Sequence, residues 1–192
     1  MRKIIAIIFI CLISAFLMTP TTEATTKSYA WNPNKVYIYY GDINQITYTF
    51  MKKKDGISYW KAKNQGINDN GKIEWTDTYT FRQRETKNGL QWELTGEPKK
   101  NYFYLAYPVE KGKTFLNWNG TPTKIVSTNA TVKIKAGTFK NVVITKTTDK
   151  HSGIQTKCYY APGYGLIKAG HTTNPKYPYE TELELKKVTN KK

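Results

Sequence analysis

Cysteine and histidine are almost absent from this sequence, with two of each in 192 residues. Cys11 lies in an apolar run at the N-terminus, which leaves Cys158 with no partner in the rest of the chain. This excludes the disulfide scaffold that holds many small secreted domains together, and a lone cysteine suits an exported bacterial protein better. His151 and His171 stand with no cysteine or paired acid beside them, and their separation fits no metal motif. No glycine-rich phosphate loop, no G-x-S-x-G and no H-E-x-x-H occurs. Strong helix formers are scarce: from residue 25 onward there are 7 Ala and 7 Leu, against 15 Tyr and 23 Thr. Beyond the N-terminal run no hydrophobic stretch is long enough to span a bilayer.

The N-terminal run has the layout of a secretory signal peptide. Arg2 and Lys3 precede an apolar stretch, Ile4 to Met18, broken only by Ser14, and Thr19-Pro20 and small residues follow. The stretch falls short of the ~20 residues of a spanning helix. Cleavage is expected after Ala24, with Ala30 the alternative site. Phe9-Ile10 precede Cys11 where a lipid-attachment signal wants small residues. The expectation is therefore a signal peptide over 1–24 and a single secreted β-domain over 25–192, with 25–35 a loose arm. The mature chain is expected to lack a stable membrane anchor and to be found outside the cell, with association to the cell wall as a further expectation.

Tyrosine and threonine fit the half-buried surface of a sheet, and the periodicity agrees. In "KIEWTDTYTFR" Ile73, Trp75, Tyr79 and Phe81 alternate with polar residues, as do Leu90, Trp92 and Leu94 further on. Val132, Ile134 and Ala136 oppose Thr131, Lys133 and Lys135. Tyr179, Thr181, Leu183 and Leu185 oppose Glu180, Glu182 and Glu184. Period two marks strands with one wet face. Gly41-Asp42, Asp55-Gly56, Asn70-Gly71, Asn88-Gly89, Asn119-Gly120 and Ser152-Gly153 punctuate them as tight turns. About ten to twelve strands are expected, an all-β antiparallel meander. A sheet that long curls, splits or closes, which predicts a curved sheet, a half-barrel or a sandwich.

The chemistry of catalysis is thin. Cys158 lies in the alternating "IQTKCYY" and reads as a small buried filler. Both histidines read as surface loop residues. A secreted hydrolase that uses Cys158 or a histidine is the alternative function. Asp69, Glu74 and Asp77 near "NDNGKIEW" miss the calcium-loop pattern and read as a hairpin tip. Glu180, Glu182 and Glu184 share one predicted face and are expected to pair with lysines of a neighbouring strand. No catalytic residue, cofactor or metal site is predicted.

Charge is the stronger signal. After residue 24 there are 28 basic and 13 acidic residues, a net charge of +15, and 26 of the basic residues are lysine. Sequence-reading nucleic-acid proteins lean on arginine, and here Arg82 and Arg84 alone remain. Scattered lysine gives a general positive field. The predicted function is thus a non-enzymatic β-domain at the cell envelope or in the medium. Its expected partner is an anionic wall polymer or other polyanion, not a specific nucleic-acid sequence. Lys52, Lys53 and Lys54 are the clustered candidates. Exposed aromatics could add stacking platforms for single strands or sugars.

The stretches "YPVEKGKTF" (Tyr107 to Phe115), "VKIKAGTFKNVVITK" (Val132 to Lys146), "YYAPGYGLIK" (Tyr159 to Lys168) and "ETELELKKV" (Glu180 to Val188) have a shared order and spacing. They resemble the C-terminal half of uncharacterised secreted proteins and lipoproteins of Bacillus-like bacteria. The resemblance covers about 80 residues and implies an antiparallel, curved β-sheet domain with no established activity. The N-terminal half matches nothing, and the chain lacks the lipid-attachment cysteine. Within "KCYYAPGYGLIK" Pro162 is expected to end a strand and Gly163 and Gly165 to turn the chain. The stretch reads as a corner of the fold, with Tyr159, Tyr160 and Tyr164 as candidate contact residues.

Overall fold

A computed structural model of the chain describes residues 27–93 and 102–191. The expected signal peptide, residues 25 and 26 and Leu94 lie outside the described residues. Twelve strands follow in order: β1 (Lys35–Tyr40), β2 (Asn44–Lys54), β3 (Ile57–Ile67), β4 (Ile73–Thr86), β5 (Gly89–Glu93), β6 (Leu105–Ala106), β7 (Thr114–Leu116), β8 (Pro122–Ile134), β9 (Gly137–Thr148), β10 (Gln155–Ala161), β11 (Gly165–Thr172) and β12 (Glu180–Asn190). All twelve belong to one sheet of order β6-β5-β4-β3-β2-β1-β12-β11-β10-β9-β8-β7. Every pairing is antiparallel, and the meander rolls into a nearly closed barrel. Its two edges, β6 and β7, face each other, and Phe103 N donates to Leu116 O across the gap at 3.1 Å.

The period-two pattern sets which residues point inward. Tyr37 and Tyr39 of β1, Trp60 and Ala62 of β3, Phe81 of β4 and Leu185 of β12 are all buried in one cluster. Leu90, Leu105, Phe115, Ile125 and Tyr160 form a second around the β6–β7 edge. Asp55 and Gly56, both at positive φ (51° and 75°), close β2 onto β3 in a tight turn. Three register shifts bend β8. Its hairpin with β9 folds back against β12, where Ala136 N donates to Leu185 O at 3.3 Å.

The meander gives the barrel two unlike ends. The β2–β3, β4–β5, β6–β7, β8–β9 and β10–β11 turns make one, and the β1–β2, β3–β4, β7–β8, β9–β10 and β11–β12 turns the other. The expected loose arm plugs the first of these. Trp31 is only 4% exposed. It meets Tyr37, Tyr39, Tyr48, Trp60, Phe81 and Trp92 with ring centroids 4.6–6.1 Å apart. Its backbone N–H donates to Gln83 Oε1 at 3.0 Å and its indole N–H to the Tyr39 hydroxyl at 3.0 Å. Tyr29 N donates to Glu85 Oε1 at 2.9 Å, and Ser28 Oγ to Glu85 Oε2 at 2.7 Å. Residues 28–32 are therefore fixed in place. Burial of a large indole and its matched polar groups outweighs the entropy of ordering a few residues.

Candidate functional site

At the end opposite the plug the barrel interior opens into a cavity of about 570 Å³. Alternation supplies its walls from both halves of the meander. Tyr48 of β2, Tyr79 and Phe81 of β4, Trp92 of β5, Tyr104 and Trp118 make an aromatic wall. Tyr104 lies between its neighbours, 4.4 Å from Trp92 and stacked with Trp118 at 6.3 Å and 9° between planes. Opposite stand hydroxyls: Thr121, Thr123 of β8, Thr145 and Thr147 of β9 and Thr156 of β10. Cross-strand pairing sets Thr123 against Thr147 and Thr156 against Thr147, and Thr123 and Thr147 share a 2.6 Å hydroxyl contact. Trp31 lies beneath, its ring 4.6 Å from Tyr48 and 5.1 Å from Trp92. The plug of one end is the floor of the other.

Charge at this mouth is sparse and committed. Among the described residues no lysine or arginine lines the cavity, and Asp149 and Glu182 are its only charged groups. Asp149 Oδ1 accepts from His151 N at 2.8 Å, and with Ser152 N this holds its carboxyl below the usual value. Glu182 Oε1 lies 2.8 Å from His171 Nδ1, and Glu180 Oε2 lies 3.9 Å from His171 Nε2. This corrects two expectations. His171 is not in a loop but near the end of β11. The three glutamates do not share a face: a register shift between Ala169 and Gly170 turns Glu180 and Glu182 toward His171, while Glu184 pairs with Lys168 at 3.6 Å. Only Glu184 thus finds the lysine expected for all three.

The "KCYYAPGYGLIK" stretch distributes its side chains over three places. Tyr160 points into the barrel beside Cys158 and the threonine wall and is 2% exposed. Tyr159 packs against the other cluster. Tyr164 sits at the β10–β11 corner, edge-on to Phe139 at 5.0 Å. The three candidate tyrosines are not brought together. Gly163 and Gly165 do have positive φ, 73° and 69°, and Gly163 N donates to Ser28 O at 2.8 Å. The corner is a seat for the arm. Lys52, Lys53 and Lys54 are exposed at the β2–β3 tip, on the plugged end, with Lys52 Nζ 5.4 Å from the Tyr59 ring centroid.

Cys158 keeps part of its surface toward the cavity but is enclosed by surrounding protein, and burial pushes its thiol up to about 11. That is the reverse of an activated nucleophile, which needs a lowered value. Its cross-strand neighbours are Thr145 and Ala169, whereas His171 stands opposite Thr156 and His151 lies in the exposed β9–β10 turn. Burial likewise raises Tyr104 and Tyr160 at the cavity wall. Among the described residues no group of three or more His, Cys, Asp or Glu could hold a metal ion.

The cavity escaped the sequence because its polar wall alternates just as a wet outer face does. The one legible signal was the excess of aromatics on inward positions of β4 and β5.

No family model and no curated protein matches the chain. Among solved structures it is similar to a protein of Bacteroides fragilis assigned to export, with a YmcC-like fold. The match covers 86% of this chain and 100% of that one at 14% identity, with a TM-score of 0.53. A protein of Parabacteroides distasonis assigned as a lipoprotein aligns over 85% of this chain and 99% of its own, at 10% identity and a TM-score of 0.45. At such identity the first likeness shows the fold alone: this chain has the barrel-shaped architecture of the YmcC-like structure.

Proposed function

We propose that the chain is exported and works at the cell envelope or in the medium as a non-enzymatic β-domain that holds an anionic polymer through its lysines. The observation that carries this is the exposed Lys52-Lys53-Lys54 tip on the plugged end. The mouth turns, by contrast, balance Asp42, Asp69 and Asp149 with Lys72, Lys150 and Lys176. A phosphate-rich polymer such as those of a Gram-positive wall meets a positive field at one end of the barrel, with the cavity facing away. Export rests on the signal-like N-terminus, and the likeness in fold to a protein assigned to export supports it. Cleavage after Ala24 suits this fold better than cleavage after Ala30, which would remove Tyr29 from the core and Ser28 from its bond to Gly163.

An attraction of this kind weakens as salt rises, since bound counterions are released on binding. The protein should be recovered outside the cell, partly on the wall, and should elute between ~0.05 M and ~1 M salt, where the Debye length falls to ~3 Å. Replacement of Lys52, Lys53 and Lys54 by glutamine should lower the eluting salt more than replacement of the dispersed, exposed Lys61, Lys124 and Lys187. Blotting of wall fractions washed at each salt reads this out. Retention that ignores salt, or equal effects of the two triples, would overturn the reading.

A further inference from the structure

The mouth cavity lies apart from the lysines that carry the proposed polyanion contact, and its chemistry differs from theirs. We infer that it is a binding site for an uncharged, polyhydroxylated ring, a saccharide unit. Three observations select that class. First, the lining excludes charge: no lysine or arginine faces the cavity among the described residues, in a chain of net charge +16. Asp149 is held by two backbone N–H groups and Glu182 by His171. An anion would find no counter-charge, and a cation would compete with existing partners.

Second, the walls differ from each other. A pyranose ring presents C–H groups on one face and hydroxyls around its rim. The aromatic wall, with the exposed Trp118 ring parallel to Tyr104 at the rim, offers apolar ring surface for the first. The threonines of β8, β9 and β10 offer donors and acceptors for the second. Thr123 and Thr147 partner each other, but an acyl chain would desolvate the other hydroxyls of that wall, Thr121 and Thr156 among them, and supply no partner in return. Third, the Trp92 indole N–H is buried with no acceptor among the described residues. Such a group is uncommon, and Trp92 itself lines the cavity. Trp118, 58% exposed at the rim, is the entry platform. The volume, about 570 Å³, falls within the range of ligand sites.

The test uses the mature chain and tryptophan emission, since Trp92 and Trp118 both line the cavity. Maltotriose, galactotriose and chitotriose are titrated up to ~10 mM, enough to fill a site with Kd ~1 mM. At least one should give a saturable change that persists from ~0.05 M to ~1 M salt, unlike binding to the outer lysines. Trp118→Ala should weaken that binding ~10-fold or more. Trp75→Ala, an exposed indole at the same end that does not line the cavity, should leave it unchanged. Silence toward all three saccharides overturns the proposal. So does saturable binding of the neutral apolar probe N-phenylnaphthylamine or of tetramethylammonium in their place. Salt-sensitive wall binding is read separately, so failure of the saccharide site leaves that result standing.

Discussion

Trp31 is one side chain that serves both ends of the barrel. It fills the plugged end, floors the cavity and spends its indole N–H on Tyr39, whose hydroxyl in turn donates to Leu166 O at 2.5 Å. Its loss opens a large void among rings too constrained by their strands to collapse. Trp31→Ala should cost ~3–5 kcal/mol, as for other buried large-to-small changes. Cys158→Ala removes one sulfur beside an existing cavity and should cost ~1 kcal/mol or less. Urea unfolding of the two variants checks the contrast, and equal losses would mean that Trp31 is not central to the core. None of this was legible from Trp31-Asn32-Pro33-Asn34. The segment has turn composition and no periodicity, and what fixes it lies far along the chain, at Gln83 and Glu85.

The element that answers to the arm is the β10–β11 corner. Pro162 ends β10, since it has no N–H to give to a ladder, and the two glycines take the chain into β11. Their demands differ. A Cβ on Gly163 would meet nothing within 4 Å, so only its φ of 73° opposes substitution. A Cβ on Gly165 would also come within 2.8 Å of Trp31 Cδ1 and 3.2 Å of Tyr29 O. Gly163→Ala should therefore cost ~1 kcal/mol from the left-handed backbone alone. Gly165→Ala should cost more, because the arm must shift, and Tyr164→Ala, at a half-exposed position, should cost least. Thermal melts of the three rank them, and a Tyr164→Ala loss above Gly165→Ala would contradict the corner as a seat. The strands and this corner were legible, because hairpin turns and period two are local. The bulges in β8 and between β11 and β12 were not, and the second sets which glutamates meet His171.

At the scale of the molecule, alternation alone cannot separate an outer polar face from a polar inner wall. Thr78 and Thr80 of β4 read the same as Thr145 and Thr147 of β9. Only the near-closure of the sheet, which joins its two halves at β1–β12 and brings the β6 and β7 edges together, makes one set solvent-facing and the other a cavity wall. The same closure buries an unusual number of phenols and thus sets how the whole fold responds to alkali. Burial raises Tyr37 from its ordinary 10.0 to about 12 and Cys158 from 9.0 to about 11, and it raises Tyr39, Tyr48 and Tyr160 as well. Below the unfolded values both states hold these protons, and stability does not depend on them. Above about pH 9 to 10 the unfolded chain releases them first while the folded chain keeps them, so stability falls as pH rises. The loss continues until the folded groups themselves ionise. The melting temperature should therefore stay level with respect to these groups from neutral pH to pH ~9 and then drop steeply toward pH ~12. Tyrosinate absorbance should show the buried phenols ionising together with unfolding. Full ionisation of every tyrosine at pH ~11 in a chain that still melts cooperatively would mean that the aromatic interior is open to water.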